Sequence, residues 1–406
     1  MCPTAYAARM SDIPSLTLRP KRDRRARAGH PWVFSNEIAD DLKGLTPGEA
    51  VDVRSSTGAR IGRGYVNPRS LIAVRLLTRD RHDIDAVPFW SLRLREALRA
   101  RVRSCPGRTS MRLVHAEGDG LPGLVVDRYG DVLAVQLTTA GAEARREVIA
   151  AALQEVFQPT GAVLRSEGRS RQLEGLEDER GHWFGDVPDA VDIEEHGVTF
   201  RVDLMAGQKT GHFYDQADNR AHFGRLAAGL RVLDVYAHSA GWALQALARG
   251  ATEALVVDKS AAACELCVDN LEQNGFEERS AVVQAEGRKF LIELTSAQER
   301  FGAVNLDPPA FAKTRKTAGS ALRGYEDINT LGLGLVDQGG LFATSTCSFH
   351  VEDERFEEAL RKAARSAHRR LRLIRKSTAA PDHPVRLGVP ETRYLKHYLF
   401  QVELDA

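Results

Sequence analysis

Two short stretches hold most of the reactive chemistry in this chain. Asn305-Leu306-Asp307-Pro308-Pro309 sets a carboxylate against two prolines, and Thr346-Cys347-Ser348 sets a thiol between two hydroxyls. Two prolines remove two amide donors and fix the backbone just past the acid. That suits a rigid wall beside a substrate better than a plain loop. Cys347 fits either a reactive thiol or a small buried hydrophobe. Two further acids follow apolar runs. Asp258, after Val256-Val257, is placed to accept hydrogen bonds from two ribose hydroxyls, or to cap a helix. Glu286, before Gly287, could meet an adenine edge or stand in solvent. The loop Asp234-Val235-Tyr236-Ala237-His238-Ser239-Ala240-Gly241 is small enough for a ligand to approach its backbone, though a structural turn reads the same way. It is not G-x-G-x-x-G and lacks the lysine of a phosphate loop, which weighs against dinucleotides and nucleoside triphosphates.

The elements that carry these residues alternate. Arg231–Tyr236, Ala254–Val257, Ala281–Gln284, Ala303–Leu306 and Gly340–Ser345 read as strands, with Gly241–Arg249, Ala261–Asn274 and Glu352–Ser366 as helices. Repeated strand–helix units predict a parallel, doubly wound α/β sheet of Rossmann type, whose ligands bind at the carboxyl ends of the strands. Leu371–Arg375 and His397–Glu403 are late strands. Upstream, Glu49–Arg54, Ala59–Val66 and Leu71–Leu77, broken by Ser-Thr-Gly and Asn-Pro, predict a small N-terminal β-barrel. A helix over Asp85–Arg103 leads to an α+β middle region. There Leu124–Asp127, Val132–Leu137 and Ala162–Arg165 read as strands, Ala142–Phe157 as a helix, and Ile193–Leu204 as a hairpin turning at His196-Gly197. The expected domains are 15–80, 81–192 and 193–406.

The chain has 406 residues, 43% hydrophobic and 27% charged, which excludes disorder for most of its length. No apolar run reaches the ~18 residues of a membrane helix, and no secretory signal opens the chain. Five cysteines, an odd count, fit a reducing cytoplasm better than a disulfide framework. The net charge of +1 hides an asymmetry: residues 1–110 carry 21 Lys and Arg against 11 Asp and Glu, the remainder 35 against 44. Arg19–Arg27 concentrates six of the basic residues. A basic region beside an acidic remainder suggests a module that grips a polyanion, with Arg22, Arg24 and Arg25 at its centre. Cys264-x-x-Cys267 has neither a second pair nor a nearby histidine, so no metal is expected.

Taken together, Asp234–Gly241, Asp258, Asp307-Pro308-Pro309 and Thr346-Cys347-Ser348 resemble, in order, the motifs of class I S-adenosylmethionine (SAM) methyltransferases. Nearly the whole chain further resembles the RlmI family of 23S ribosomal RNA cytosine-C5 methyltransferases. Gly29-His30-Pro31-Trp32-Val33-Phe34 and Ile61-Gly62-Arg63-Gly64-Tyr65 look like that family's N-terminal PUA domain. Glu117–Asp127 and Glu194–Val198 are similar to its middle domain. Lys209-Thr210-Gly211, Asp215-Gln216, Arg220, Asp382-His383-Pro384 and Tyr394-Leu395-Lys396 are similar to its later motifs. Two departures stand out: Ala237-His238-Ser239-Ala240-Gly241 replaces a Tyr-Thr-Gly-Gly-like loop, and Ala310 follows Pro309 where many RNA cytosine-C5 enzymes carry a second cysteine.

The resemblance implies SAM held by Asp234, Tyr236, Ala237, Ser239, Gly241, Asp258, Lys259, Glu286 and Asp307. It implies Cys347 as nucleophile and Asp307 on the cytosine edge. It also implies ribosomal RNA, bound through Arg22, Arg24, Arg25 and Lys209, as the partner, in the cytoplasm, with no membrane and with a homodimer among the expected states. A thiol near a carboxylate needs a cation or donors, for which Lys209 and Lys313 are candidates. Two rivals remain. Amino-group methyltransferases carry Asp-Pro-Pro-Phe-like motifs whose aromatic stacks on the base; here Phe311 is displaced by Ala310 and Cys347 would stand idle. The other rival is an RNA-binding assembly factor with a vestigial SAM pocket.

Overall fold

The computed structural model describes residues 13–404 apart from 206, 208–209 and 313–316. Lys209 and Lys313 therefore lie outside the described residues. The chain forms two compact units. Unit 1 comprises residues up to 191 together with 202–212 and 381–392; unit 2 comprises 192–201, 213–380 and 393–406.

Unit 1 begins with a five-stranded sheet of β1 (Ser15–Thr17), β2 (Trp32–Val33), β3 (Ala50–Arg54), β4 (Arg60–Val66) and β5 (Val74–Thr78), in the order β1-β3-β4-β5-β2. The apolar residues Leu16, Val33, Val51, Val53, Ile61, Val66 and Val74 close on one another as its core. Gly64 lets β4 approach β5: a Cβ there would lie 1.9 Å from the Arg75 carbonyl oxygen. The helix α1 (Val87–Ser104) then packs on a second sheet. This comprises β6 (Met111–His115), β7 (Leu124–Tyr129), β8 (Val132–Leu137), β9 (Gly161–Ser166) and β10 (Glu179–Gly185), with α2 (Arg146–Phe157) between β8 and β9. The late segment 381–392 is held in this unit by buried polar contacts. Arg101 donates to the Asp382 carbonyl (2.9 Å), and the Arg112 amide donates to the Asp382 carboxylate (2.9 Å). A two-stranded hairpin, β11 (Ala190–Glu195) and β12 (Val198–Asp203), follows.

Unit 2 is the doubly wound α/β layer expected from the alternating pattern. Its helices are α3 (Ala217–Leu226), α4 (Gly241–Leu247), α5 (Ala261–Gln273), α6 (Gly287–Ser296), α7 (Ala318–Gly334) and α8 (Asp353–Ser366). Its strands are β13 (Arg231–Val235), β14 (Glu253–Asp258), β15 (Ser280–Gln284), β16 (Phe301–Leu306), β17 (Val336–Thr346), β18 (Arg369–Ser377) and β19 (Lys396–Leu404). The order is β15-β14-β13-β16-β17-β19-β18, with the first five parallel and β19 antiparallel to both β17 and β18. Every residue of β16 is buried, as a strand covered on both faces requires. The winding reverses between β13 and its neighbours β14 and β16. The carboxyl ends of these strands therefore border a crevice: Asp258 ends β14, and Tyr236, Asp307 and Cys347 follow β13, β16 and β17.

Candidate active site

The loop after β13 is bent by three non-glycine residues in the left-handed region: Tyr236 (φ 67°), His238 (φ 54°) and Ala240 (φ 60°). Each such residue costs roughly 1–2 kcal/mol, so the surroundings must hold the loop. Asp234, fully buried, accepts from the Ala243 amide at the start of α4 (3.1 Å) and from Asn305 Nδ2 (2.9 Å). Burial pushes its carboxyl up to about 6, against those two hydrogen bonds. Asp258 accepts from the amides of His238 (3.1 Å) and Ser260 (3.0 Å). Helix α5 supplies the remaining support. Cys264 and Cys267 donate S–H to the carbonyls of Asp258 (3.4 Å) and His238 (3.5 Å), and Asn270 donates to that of Ser239 (3.3 Å). The Cys-x-x-Cys pair thus braces the loop.

Of the other residues expected to hold the cofactor, Ala237, Ser239 and Gly241 are buried within this loop, and Lys259 is exposed just beyond Asp258. Gly241 has no room for a side chain, since a Cβ would lie 2.7 Å from Arg220. Glu286 caps α6, its carboxylate accepting from the amides of Arg288 (3.3 Å) and Lys289 (2.9 Å). The next residue, Gly287, leaves space for the Tyr236 ring, which a Cβ would meet at 2.7 Å.

Asp307, one residue past β16, sits in a web of side chains. Gln216 donates from Nε2 both to its carboxylate (3.0 Å) and to Ser345 Oγ (3.0 Å), and Trp242 adds a further hydrogen bond. Gln216 is itself fixed by Asn219, which donates to its Oε1 (2.8 Å). Ser345 also bonds His397 Nδ1 (3.0 Å), and the His397 ring lies 5.2 Å from that of Trp242. Burial drives His397 down to about 3, so the imidazole is neutral. Burial, and then the neighbouring charge of Asp215, push Asp307 up to about 7, while Arg220 pulls the other way. Arg220 is held by Glu195 through two bonds (2.9 and 2.6 Å), and Tyr394 donates to Asp215 (2.6 Å).

Cys347 lies one residue past β17 and is half-buried. Leu306 of β16 pairs with Thr344 of β17, which sets Asp307 abreast of Ser345 with the thiol two residues further along. The flanking hydroxyls are tied to α7: Thr346 Oγ1 donates to the Tyr325 hydroxyl (2.8 Å), and Ser348 Oγ lies 3.1 Å from it. Phe311 stacks on Tyr325 with ring centroids 4.6 Å apart. That aromatic packs against protein, which weakens the amino-group reading. Gln216, Trp242, Asn305, Tyr325 and Lys396 were assigned no role from sequence. Their signal is tertiary, although Gln216 and Lys396 fall within motifs that carried the resemblance.

In unit 1, Arg22 and Arg24 are exposed. Arg22 lines a cleft of about 320 Å³ with Phe34, Ser35, Asn36 and Leu71. Arg25 instead donates to the Trp32 carbonyl (3.1 Å), pairs with Glu37 and lies 4.3 Å over the Phe34 ring.

Comparison with known proteins agrees with this architecture. Residues 16–79 match a family model described as a PUA-like domain, and residues 111–390 match one described as S-adenosylmethionine-dependent methyltransferase. The chain is 36% identical over 395 residues to "Ribosomal RNA large subunit methyltransferase I" of Photobacterium profundum, covering 96% of this chain and 99% of the relative. It is 35% identical over 394 residues to the protein of the same name in Klebsiella pneumoniae, covering 96% and 98%. A methyltransferase crystallised with SAH shares the fold at TM-score 0.83 and 20% identity, over 96% of this chain and 100% of that one. A SAM-dependent methyltransferase from Streptococcus mutans does so at TM-score 0.82 and 19% identity, with the same coverage.

Proposed function

This chain belongs to the ribosomal RNA large subunit methyltransferase I family of SAM-dependent methyltransferases, and we propose that it methylates C5 of a cytosine in 23S ribosomal RNA through a covalent bond from Cys347 to C6. The observation that carries this reading is the pairing of β16 with β17, which brings a thiol and a raised carboxyl to adjacent strand ends. The residues present fit SAM. A small-residue loop in the left-handed region turns the backbone at the end of β13, Asp258 retains lone pairs for ribose hydroxyls beyond the two amides it accepts, and Gly287 lets the Tyr236 ring close on the start of α6. Asp258, the backbone of 237–241, Tyr236 and Glu286 with its neighbours would hold it, with Ser239, Gly241, Lys259, Asp234 and Asp307 lining or supporting the same crevice. When bound, SAM supplies an electrophilic methyl group.

Cytosine C5 is a poor nucleophile. Adding the Cys347 thiolate to C6 converts the ring to an enamine whose C5 can take the methyl, splitting a hard step into easier ones. A base then takes the C5 proton, the electrons of that C–H bond re-form the C5–C6 double bond, and the thiolate leaves C6. Asp307, poised at about 7, can accept from N4–H or carry a proton to N3 as the thiolate adds. Arg22, Arg24 and Lys209 contact RNA phosphates in this reading, and Arg25 orders Trp32, Phe34 and Glu37 beside Arg22. The reaction takes place in the cytoplasm. Among the described residues no helix is long and apolar enough to cross a membrane. A homodimer would be read by light scattering.

The test is RNA carrying 5-fluorocytidine at the target. Fluorine cannot leave as a proton, so a covalent complex should accumulate, and only with SAM. Cys347→Ala should reduce both trapping and methylation to background while SAM still binds. Full methylation by that variant would sink the covalent mechanism.

A further inference from the structure

A cation near the thiol comes from the neighbouring antiparallel strand. Lys396 is the first residue of β19 and pairs directly with Thr346 of β17, one residue before Cys347. Its side chain is 6% exposed. The ammonium donates to the carbonyl of Ser348 (3.3 Å), one residue after the thiol, and to that of Tyr394 (3.4 Å). An ammonium has three donors, and the third finds no protein acceptor among the described residues. A buried lysine set on carbonyls beside a cysteine makes sense if the cysteine is a thiolate for part of the cycle. An uncompensated buried cation is otherwise costly.

We propose that Lys396 is the positioning residue of the nucleophile: clamped on the Ser348 carbonyl, it fixes the turn that carries Cys347 and supplies the positive charge that favours its thiolate. The inference rests on the reading of Cys347 as nucleophile. Asp353 at the start of α8, Arg393, and Lys376 of β18 face Lys396, and the Tyr325 hydroxyl of α7 faces Cys347. Burial first, and then the charges of Arg393 and Lys376, lower the affinity of Lys396 for its proton, while the charges of Asp353 and Cys347 act the other way. Asp353 also pairs with Lys376 (2.9 Å).

The experiment follows alkylation of Cys347 in the full chain by iodoacetamide across pH, read by mass spectrometry of the peptide that contains it. An ordinary thiol has its midpoint near ~8.5. The wild-type midpoint is expected below that. A midpoint at or above it overturns the proposal whatever any variant does. Lys396→Met, of similar length without charge, should raise the midpoint by about one unit and slow methylation roughly tenfold at neutral pH, with SAM binding retained. Lys396→Arg should restore most of both. If Lys396→Met leaves the midpoint where it was, or Lys396→Arg behaves like Lys396→Met, the proposal fails. If instead Cys347→Ala still methylates RNA, the reading beneath it fails, and the alkylation midpoint reports that separately.

Discussion

The two halves of the crevice are built on different terms. At the ends of β13 and β14 the working surface is backbone, and side chains serve it: Asp234, Asp258, Cys264, Cys267 and Asn270 all bond main-chain groups of one loop or its flanks. At the ends of β16 and β17 the working groups are the side chains themselves. Gln216, Trp242 and Tyr325 hold other side chains there. Asp234 and Asp307 make the contrast sharp. Both sit on neighbouring strands and both are raised by burial. Asp234 faces an amide and Asn305 and has nothing further to do than brace. Asp307 is held by the side chains of Gln216 and Trp242 beside a second acid, Asp215. A cofactor common to many enzymes can be met by main chain. A reacting base requires groups that can change protonation.

Substitutions should separate the halves. Asp307→Asn should lower the methylation rate on the order of 10²-fold with SAM affinity nearly unchanged, measured by single turnover and calorimetry. It should also alter the pH dependence of stability. A carboxyl raised to about 7 binds a proton in the folded state that the unfolded chain releases near 4. Its contribution is therefore complete below pH ~4 and is lost as pH rises through 7. Between pH 5 and 8 the thermal midpoint of wild type should fall relative to that of Asp307→Asn, because Asp234, raised in the same sense, and His397, lowered by burial and so acting in the opposite sense, contribute alike to both proteins. Next in size, Asp258→Ala should weaken SAM binding by ~10–100-fold without unfolding the protein. An unchanged dissociation constant would remove its ribose role. Asp234→Asn should cost less than about tenfold in SAM affinity. Asn305 Oδ1 has no partner in its present orientation, so a turned amide can accept from the new asparagine. Smallest of all, Cys264→Ala and Cys267→Ala should each keep full methylation. A large loss in either would mean the thiols are more than braces.

The strand ends were legible because chemistry and pattern coincide there. Apolar runs mark β13, β14 and β16, and an acid ends or follows each. Helix α7 was not legible. It carries Gly319, Gly324, Gly332 and Gly334, poor helix formers that sequence periodicity discounts. Packing overrides that cost: a Cβ at Gly332 would lie 2.8 Å from Leu306 and 3.0 Å from Phe342. Strand β10 was missed because Glu179–Gly185 is polar and only half-buried, without an apolar alternation. Strand β17 runs from Val336 rather than Gly340, since Gly339 (φ 79°) lets the pairing with β16 shift register there. The left-handed Tyr236, His238 and Ala240 stand where glycine would have announced the bend. Lys396 escaped notice because only the pairing of β19 with β17 brings it to the thiol.

The segment 381–392 has a consequence for synthesis. Domains generally fold as units while the chain emerges, the earlier ones first. Most of unit 1 precedes unit 2 in the chain, yet its Arg101 and Arg112 find Asp382 only after almost all of unit 2 has been translated. Until then Arg101 lacks one of its carbonyl acceptors and the Arg112 amide lacks its carboxylate. The part of the protein that begins first is thus completed near the end. A chain that stops before residue 382 would carry a unit 1 in which Arg101 and the Arg112 amide lack these acceptors.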